Sequence, residues 1–172
     1  ACVVADDPYI AKDACEAIVV DYEPLPAIVN PTQAMADGAP IIRDDKENQH
    51  DNLIFDWEVG DKEGTDSAFV EADVVSELEL HYPRSHPSPI ETCGSIADFD
   101  RATTKLTVYM TTQAPHIIRA AVAMVAELPE HMIRIVSPDL GGGFGNKVPI
   151  YPGYVVSILA SILLERPVKW IE

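Results

Sequence analysis

The chain has little of what several protein classes require. Only three of its 172 residues are cysteine, Cys2, Cys15 and Cys93, far apart and with no Cys-x-x-Cys pair. Such a sparse, odd set argues against a disulfide framework, and with no recognisable signal peptide it predicts a reducing, cytoplasmic setting. Three thiols also fall short of the four that an all-cysteine iron–sulfur cluster needs, so any such cluster is expected on another chain. Basic residues are scarce: 12 Lys and Arg stand against 28 Asp and Glu, a net charge of −16. That balance argues against a nucleic-acid-binding face and against an anionic membrane surface as partner. Long apolar runs are missing too. The longest, Tyr154–Leu164, is about eleven residues, too short to span a bilayer and readable as a buried helix.

What remains is ordinary for a globular protein, with 47% hydrophobic and 23% charged residues and enough length for one large domain or pieces of two. Both ends, Ala1–Val4 and Val168–Ile171, read as though already inside strands, which predicts a segment of a longer polypeptide. Ala1–Val4, a helix over 8–17 and Ile18–Tyr22 form an expected β-α-β unit. Asp6 or Asp7 caps the helix, Pro8 sits near its first position, and Pro24 and Pro26 stop the second strand. Pro31–Asp37 reads as a short helix capped by Asn30. Residues 43–52 are polar without an apolar anchor and read as an exposed linker. Leu53–Val59 and Val74–Tyr82 alternate like strands, with a helix near Asp66–Ala72 between them.

The second half carries stronger signals. Pro83–Pro89 holds three prolines and is an irregular turn; His81 and His86 are poorly spaced for ligation, and no protein metal site is expected. Gly94–Phe99 and Lys105–Thr111 form a hairpin around a polar turn at Asp100. A helix begins at Pro115, with Ile117, Ile118, Ala121, Val122 and Val125 at helical spacing expected to bury one face, and is followed by a strand at Ile133–Val136. A helix over 152–164 and a strand at Val168–Ile171 complete a β-β-α-β-loop-α-β string, an α/β or α+β pattern. Cys15 and Cys93 read as structural thiols, since no base accompanies either.

Two stretches could carry chemistry. Residues 138–147, PDLGGGFGNK, follow the Ile133–Val136 strand. Glycines allow φ > 0 and close backbone approach to a ligand, although a bare strand-to-helix turn would use the same residues. The spacing is not a P-loop, because Asn146 precedes Lys147 and Val148 follows it. Nor is it the dinucleotide fingerprint, because Asn146 occupies the sixth position counted from Gly141. The second stretch is Thr111–His116, where Gln113 sits between a strand end and a helix start, the place where α/β folds bind ligands. Gln113 could equally serve only local backbone groups. Both stretches leave strands of the same half, so they are expected to meet at one sheet rim.

Residues 138–154, PDLGGGFGNKVPIYPGY, resemble the first pterin-contacting segment in large subunits of the molybdenum hydroxylases, the xanthine oxidase family. Residues 4–30, VADDPYIAKDACEAIVVDYEPLPAIVN, resemble the end of that family's hammerhead domain. Residues 86–100, HPSPIETCGSIADFD, 110–116, MTTQAPH, and 166–172, RPVKWIE, resemble the start of its molybdenum-binding domain. The likeness covers most of the chain apart from 37–80. It implies a domain plan of 1–36 as hammerhead C-terminal part, 37–74 as connecting segment and 75–172 as the N-terminal part of the molybdopterin-binding domain. Within the family, the wording with Asn146 and TTQAPH is most similar to the carbon monoxide-oxidising branch.

The resemblance implies that Gly142, Gly143, Phe144 and Gly145 contact the cofactor, with Phe144 as a dry wall. It implies that Gln113 also contacts the cofactor and acts catalytically, donating its side-chain amide to an oxygen at molybdenum or to substrate. Lys147 would anchor an anionic part of the cofactor or pair structurally. The implied cofactor is molybdopterin with molybdenum, in the cytosine dinucleotide form. Copper is expected in a full-length protein, and FAD and [2Fe-2S] centres on partner subunits, in a dimer of heterotrimers. The implied reaction is carbon monoxide and water to carbon dioxide. Oxidation of an aldehyde or N-heterocycle, or a non-catalytic cofactor-binding module, are the alternatives. The family's copper-bearing Cys-Ser-Phe-Arg motif and its C-terminal catalytic Glu are not in this sequence. Cys93 and Glu91 do not match them, and the chain alone is not expected to turn over.

Overall fold

The computed structural model describes residues 1–48 and 50–172. The chain forms two compact units, one made of Ala1–Val19 with Pro83–Glu172 and the other of Val20–Tyr82.

The first unit holds the sheet. Strands β1 (Gly94–Asp100), β2 (Lys105–Met110), β3 (Ile133–Val136) and β4 (Val168–Ile171) lie in the order β3-β2-β1-β4. β1 pairs antiparallel with β2 and with β4, whereas β2 and β3 run parallel. The β1–β2 turn is held by Asp100, which accepts from the Ala102 N–H at 2.9 Å and the Thr103 hydroxyl at 2.7 Å. Parallel pairing of β2 and β3 requires a crossover, which helix α4 (Pro115–Ala126) supplies. Helix α5 (Pro152–Leu164) joins β3 to β4. Both helices cover one sheet face, where Ala97, Leu106, Val108 and Met110 pack with Ile118, Val122, Tyr154 and Ile158. Alternate residues Ile96 and Tyr109 point to the other, open face.

Polar stitches join α5 to β1. The Ser95 and Ser157 hydroxyls are 2.8 Å apart, and Ser161 accepts from the Phe99 N–H at 3.1 Å. Gly153 has no room for a side chain, because an added Cβ would overlap the Trp170 indole. Cys93 is 1% exposed and belongs to the core.

The N-terminal helix α1 (Pro8–Glu16) starts where the proline and acid signals place it, with Asp7 accepting from the Tyr9 N–H at 2.7 Å. Helix α2 (Pro31–Ala34) is capped by Asn30 and is shorter than the expected 31–37. Helix α3 (Lys62–Glu71) begins earlier than the expected 66, at an Asp61 cap that bonds Gly64 N–H. The expected strands at Ala1–Val4, Ile18–Tyr22, Leu53–Val59 and Val74–Tyr82 do not form, and with them goes the N-terminal β-α-β unit. Alternation creates two faces, but a strand also needs a neighbouring strand, and the four-stranded sheet includes none of these segments. Their apolar side chains stay exposed, as at Val19, Ile54, Phe55, Leu78 and Tyr82.

The polar 43–52 stretch is exposed as expected, apart from Gln49, which lies outside the described residues, and Asn52, which is half-buried. Asn52 anchors it: it accepts from Ile42 N–H at 2.8 Å and donates to Ala34 O at 2.8 Å and Pro40 O at 2.9 Å. Among the described residues no helix is long and apolar enough to cross a membrane.

Candidate active site at the β2–β3 rim

Because β2 and β3 are parallel neighbours, their C-terminal ends open at the same sheet edge. β2 hands over to Thr111–Gln113 and then α4; β3 hands over to the glycine loop. The rim is sewn together by backbone and hydroxyl bonds. Gln113 N–H donates to Lys147 O at 2.9 Å, and Thr112 Oγ1 donates to the same carbonyl at 3.3 Å. Thr112 Oγ1 also accepts from Ala114 N–H at 3.1 Å at the start of α4, while Ser137 Oγ donates to Thr112 O at 2.7 Å. The expected meeting of Gln113 with the loop at one rim is therefore the observed geometry.

The Gln113 side chain has a divided role. Its Oε1 accepts from Gly145 N–H at 3.1 Å and Lys147 N–H at 3.2 Å. Two donors on one oxygen fix the amide orientation, so the NH₂ group is the outward end. That NH₂ has no protein partner among the described residues, and Gln113 is exposed. Gln113 is thus a brace for the loop and at the same time carries an NH₂ without a protein partner among the described residues, so local backbone bonding and availability to a ligand coexist in one side chain.

The loop's conformation depends on missing side chains. Gly142 sits at φ +99°, Phe144 at +50° and Gly145 at +87°. Positive φ is uncommon for an aromatic residue and carries strain of order 1–3 kcal/mol that the surroundings must hold. A Cβ on Gly143 would overlap Gln113, and one on Gly141 would lie 2.6 Å from the Glu91 Cβ. Close packing of neighbours thus dictates glycine at 141 and 143, and backbone angle dictates it at 142 and 145. Between the braced positions, the N–H groups of Gly142, Gly143 and Phe144 have no protein partner among the described residues. Three successive amides and the NH₂ of Gln113, whose side chain lies next to Gly143, are therefore donors left available to an electron-rich, oxygen-bearing ligand. The Phe144 ring, 74% exposed, lies over Gly142.

Lys147 resolves as a structural cation. Its side chain is 0% exposed and its Nζ lies 2.5 Å from Glu91 Oε2. The same carboxylate oxygen accepts Gly141 N–H at 2.8 Å, and Glu91 N–H donates to Gly141 O at 3.3 Å. The hydrogen bond from Lys147, then that from Gly141, hold the Glu91 carboxyl below its usual 4.5. Glu91 lies in no catalytic motif, so its sequence surroundings do not single it out. No local signal identifies it, because the burial of Lys147 and its pairing with an acid 56 positions away exist only in the folded chain.

Below the rim, the Tyr154 hydroxyl donates to Thr111 O at 2.9 Å, and its ring meets Trp170 edge-on at 5.3 Å. Burial raises the Tyr154 hydroxyl above its ordinary value of 10, keeping it a neutral donor. It supports the strand end that carries Gln113. Among the described residues no three His, Cys, Asp or Glu side chains converge.

A family model described as a molybdopterin cofactor-binding domain matches residues 45–172. The chain is similar to the carbon monoxide dehydrogenase large chain of Hydrogenophaga pseudoflava, 51% identical over 181 residues, covering 100% of this chain and 22% of that one. Among solved structures it is similar to reconstituted CO dehydrogenase from Oligotropha carboxidovorans. That match has a TM-score of 0.88 and 50% identity, and covers 98% of this chain and 22% of the other. Quinoline 2-oxidoreductase from Pseudomonas putida 86 is more distant, with a TM-score of 0.78 and 32% identity over 98% of this chain and 21% of that one. The chain spans about a fifth of the length of these relatives.

Proposed function

Since this chain belongs to the molybdopterin cofactor-binding domain family, we propose that it forms part of the large, molybdenum-containing subunit of an oxidoreductase that converts carbon monoxide and water to carbon dioxide. The observation that carries this reading is the cradle of free Gly142, Gly143 and Phe144 amides beside the free Gln113 NH₂. The choice of carbon monoxide over an N-heterocycle rests on identity, 51% to a carbon monoxide dehydrogenase chain against 32% to a quinoline-oxidising enzyme.

The cradle fits a pterin-held metal. Its groups are donors without thiolate or imidazole ligands, which suits a metal ligated by the cofactor's own dithiolene. When bound, molybdopterin with molybdenum supplies two-electron oxidation using water. The work of this chain is then positional. Backbone amides 142–144 hold the electron-rich edge of the cofactor, and Phe144 excludes water from one side. The Gln113 NH₂ donates to an oxygen at the reacting centre, where a preorganised neutral donor strengthens as negative charge develops. The domain plan of 1–36, 37–74 and 75–172 belongs to the same proposal. So do the cytosine dinucleotide form, copper in the intact protein, FAD and [2Fe-2S] partner subunits in a dimer of heterotrimers, and a cytoplasmic location.

The test uses the intact polypeptide with its partners, assayed for molybdenum, copper, pterin nucleotide and carbon monoxide oxidation. Gln113→Glu keeps the Oε1 acceptor for the loop and removes the NH₂ donor. It should retain molybdenum and lower turnover about 10²- to 10³-fold, the usual cost of losing one such donor. Unchanged turnover would remove Gln113 from the chemistry. An intact protein devoid of molybdenum would refute the function itself.

A further inference from the structure

The Glu91–Lys147 pair has no part in the proposed chemistry, yet its placement is specific. Glu91 lies outside the glycine loop and ties it at two points, Gly141 where the loop begins and Lys147 where it ends. Between them Asn146 N–H donates to Gly143 O at 2.8 Å, Gly142 and Gly145 adopt positive φ, and the amides of Gly142, Gly143 and Phe144 have no protein partner among the described residues. Gln113 restrains Gly145 and Lys147 only from the far side. The backbone bond from Glu91 N–H to Gly141 O at 3.3 Å also holds the Gly141 end, and the Glu91 carboxylate is what links it to Lys147 at the other.

The sequence around the pair is shaped to permit it. Gly141 must lack a Cβ, which would otherwise lie 2.6 Å from the Glu91 Cβ. Pro89, two residues before Glu91, limits Gly142 in the same way, at 3.3 Å from an added Cβ. Lys147 cannot serve a ligand itself, because its side chain is 0% exposed and its ammonium is committed to Glu91. A buried ammonium is tolerated only when paired, so the loop's closed arrangement and the charge pair stand or fall together.

We infer that Glu91 is a positioning residue for the cofactor cradle. Through Gly141 and Lys147 it fixes the span of the loop so that amides 142–144 converge on one ligand. It touches no reacting atom. Its effect is preorganisation, sparing the binding step the entropy of ordering a glycine-rich loop. This rests on the molybdopterin reading above and deepens it.

The experiment measures molybdenum and pterin nucleotide in the intact polypeptide, purified with its partners, for the wild type, Glu91→Ala, Glu91→Gln and the double variant Glu91→Gln with Lys147→Met. Glu91→Ala should lower metal content about 10- to 100-fold, the range for losing a group that orients ligands, with assembly and circular dichroism unchanged. The double variant keeps an acceptor for Gly141 and removes the stranded ammonium, so it should regain most of the metal. The metal retained by Glu91→Gln should show an altered molybdenum(V) paramagnetic resonance signal, a signature that loss of general stability would not produce. Full metal content and an unaltered signal in Glu91→Ala would overturn the inference. So would a double variant as depleted as Glu91→Ala. If Glu91→Ala does not assemble, Glu91→Gln against the double variant carries the same comparison. A wild type without molybdenum refutes the underlying function instead, so the two failures are distinguishable.

Discussion

Gly143→Ala should loosen the cradle without unfolding the domain, and the size of the effect follows from the geometry. Gly143 is not among the glycines at positive φ, so alanine meets no backbone strain there. The cost is steric. The new methyl would overlap the Gln113 side chain, lying 2.5 Å from Oε1 and 2.9 Å from Cγ. Gln113 must swing away, losing its bonds to Gly145 N–H and Lys147 N–H. At roughly 0.5–1.5 kcal/mol net for each bond, the pair is worth about 2 kcal/mol, or about 30-fold in the population of the braced loop. Amide hydrogen exchange in the intact polypeptide reads this directly: Gly145 and Lys147 should exchange faster by that factor, while core amides of β1 and β2 should not change. Gly145→Ala is the control. It sits at φ +87° with nothing within 4 Å, so its cost is conformational, about 1–2 kcal/mol, and leaves the Gln113 side chain in place. Protection of both amides at the wild-type level in Gly143→Ala, with full molybdenum content, would refute the close-approach argument.

Two further outcomes test other parts of the structure. Gly153→Ala forces a methyl into the Trp170 indole and should lower stability by about 1–3 kcal/mol, read by thermal unfolding; an unshifted midpoint would mean that α5 and β4 are not packed as described. The Glu91 carboxyl has a folded-state value below its usual 4.5, so its contribution is complete above that pH and is lost as pH falls through the lower folded value. Hydrogen exchange at the glycine loop should therefore accelerate in the wild type below pH 4.5 and lack that component in Glu91→Gln. Parallel pH profiles for the two would count against the ion pair.

How much was legible in advance depends on how local each signal is. Helices α1, α2, α4 and α5 announce themselves by a proline at the first turn, and α1 and α2 add a side-chain cap, contacts made within four residues. The β1–β2 hairpin is equally local, closed by Asp100 on its own turn. The strands expected at 18–22, 53–59 and 74–82 show the limit of that reasoning. Their alternation is real, but a ladder is a property of two segments, and periodicity in one says nothing of whether the other is present.

The candidate site divides along the same line. Sequence alone determined the glycine loop's freedom, the exclusion of ATP and dinucleotide motifs, and the position of Gln113 between a strand and a helix, because spacing and residue type decide these. Only the tertiary structure decided that Gln113 spends its oxygen on the loop and keeps its NH₂ free, that Lys147 is buried, and that Glu91 is its partner. Those contacts join residues 32, 34 and 56 positions apart. They exist because parallel pairing of β2 and β3 brings two strand ends to one edge and a third segment crosses them there. No local pattern encodes that convergence; it is fixed when the whole sheet closes.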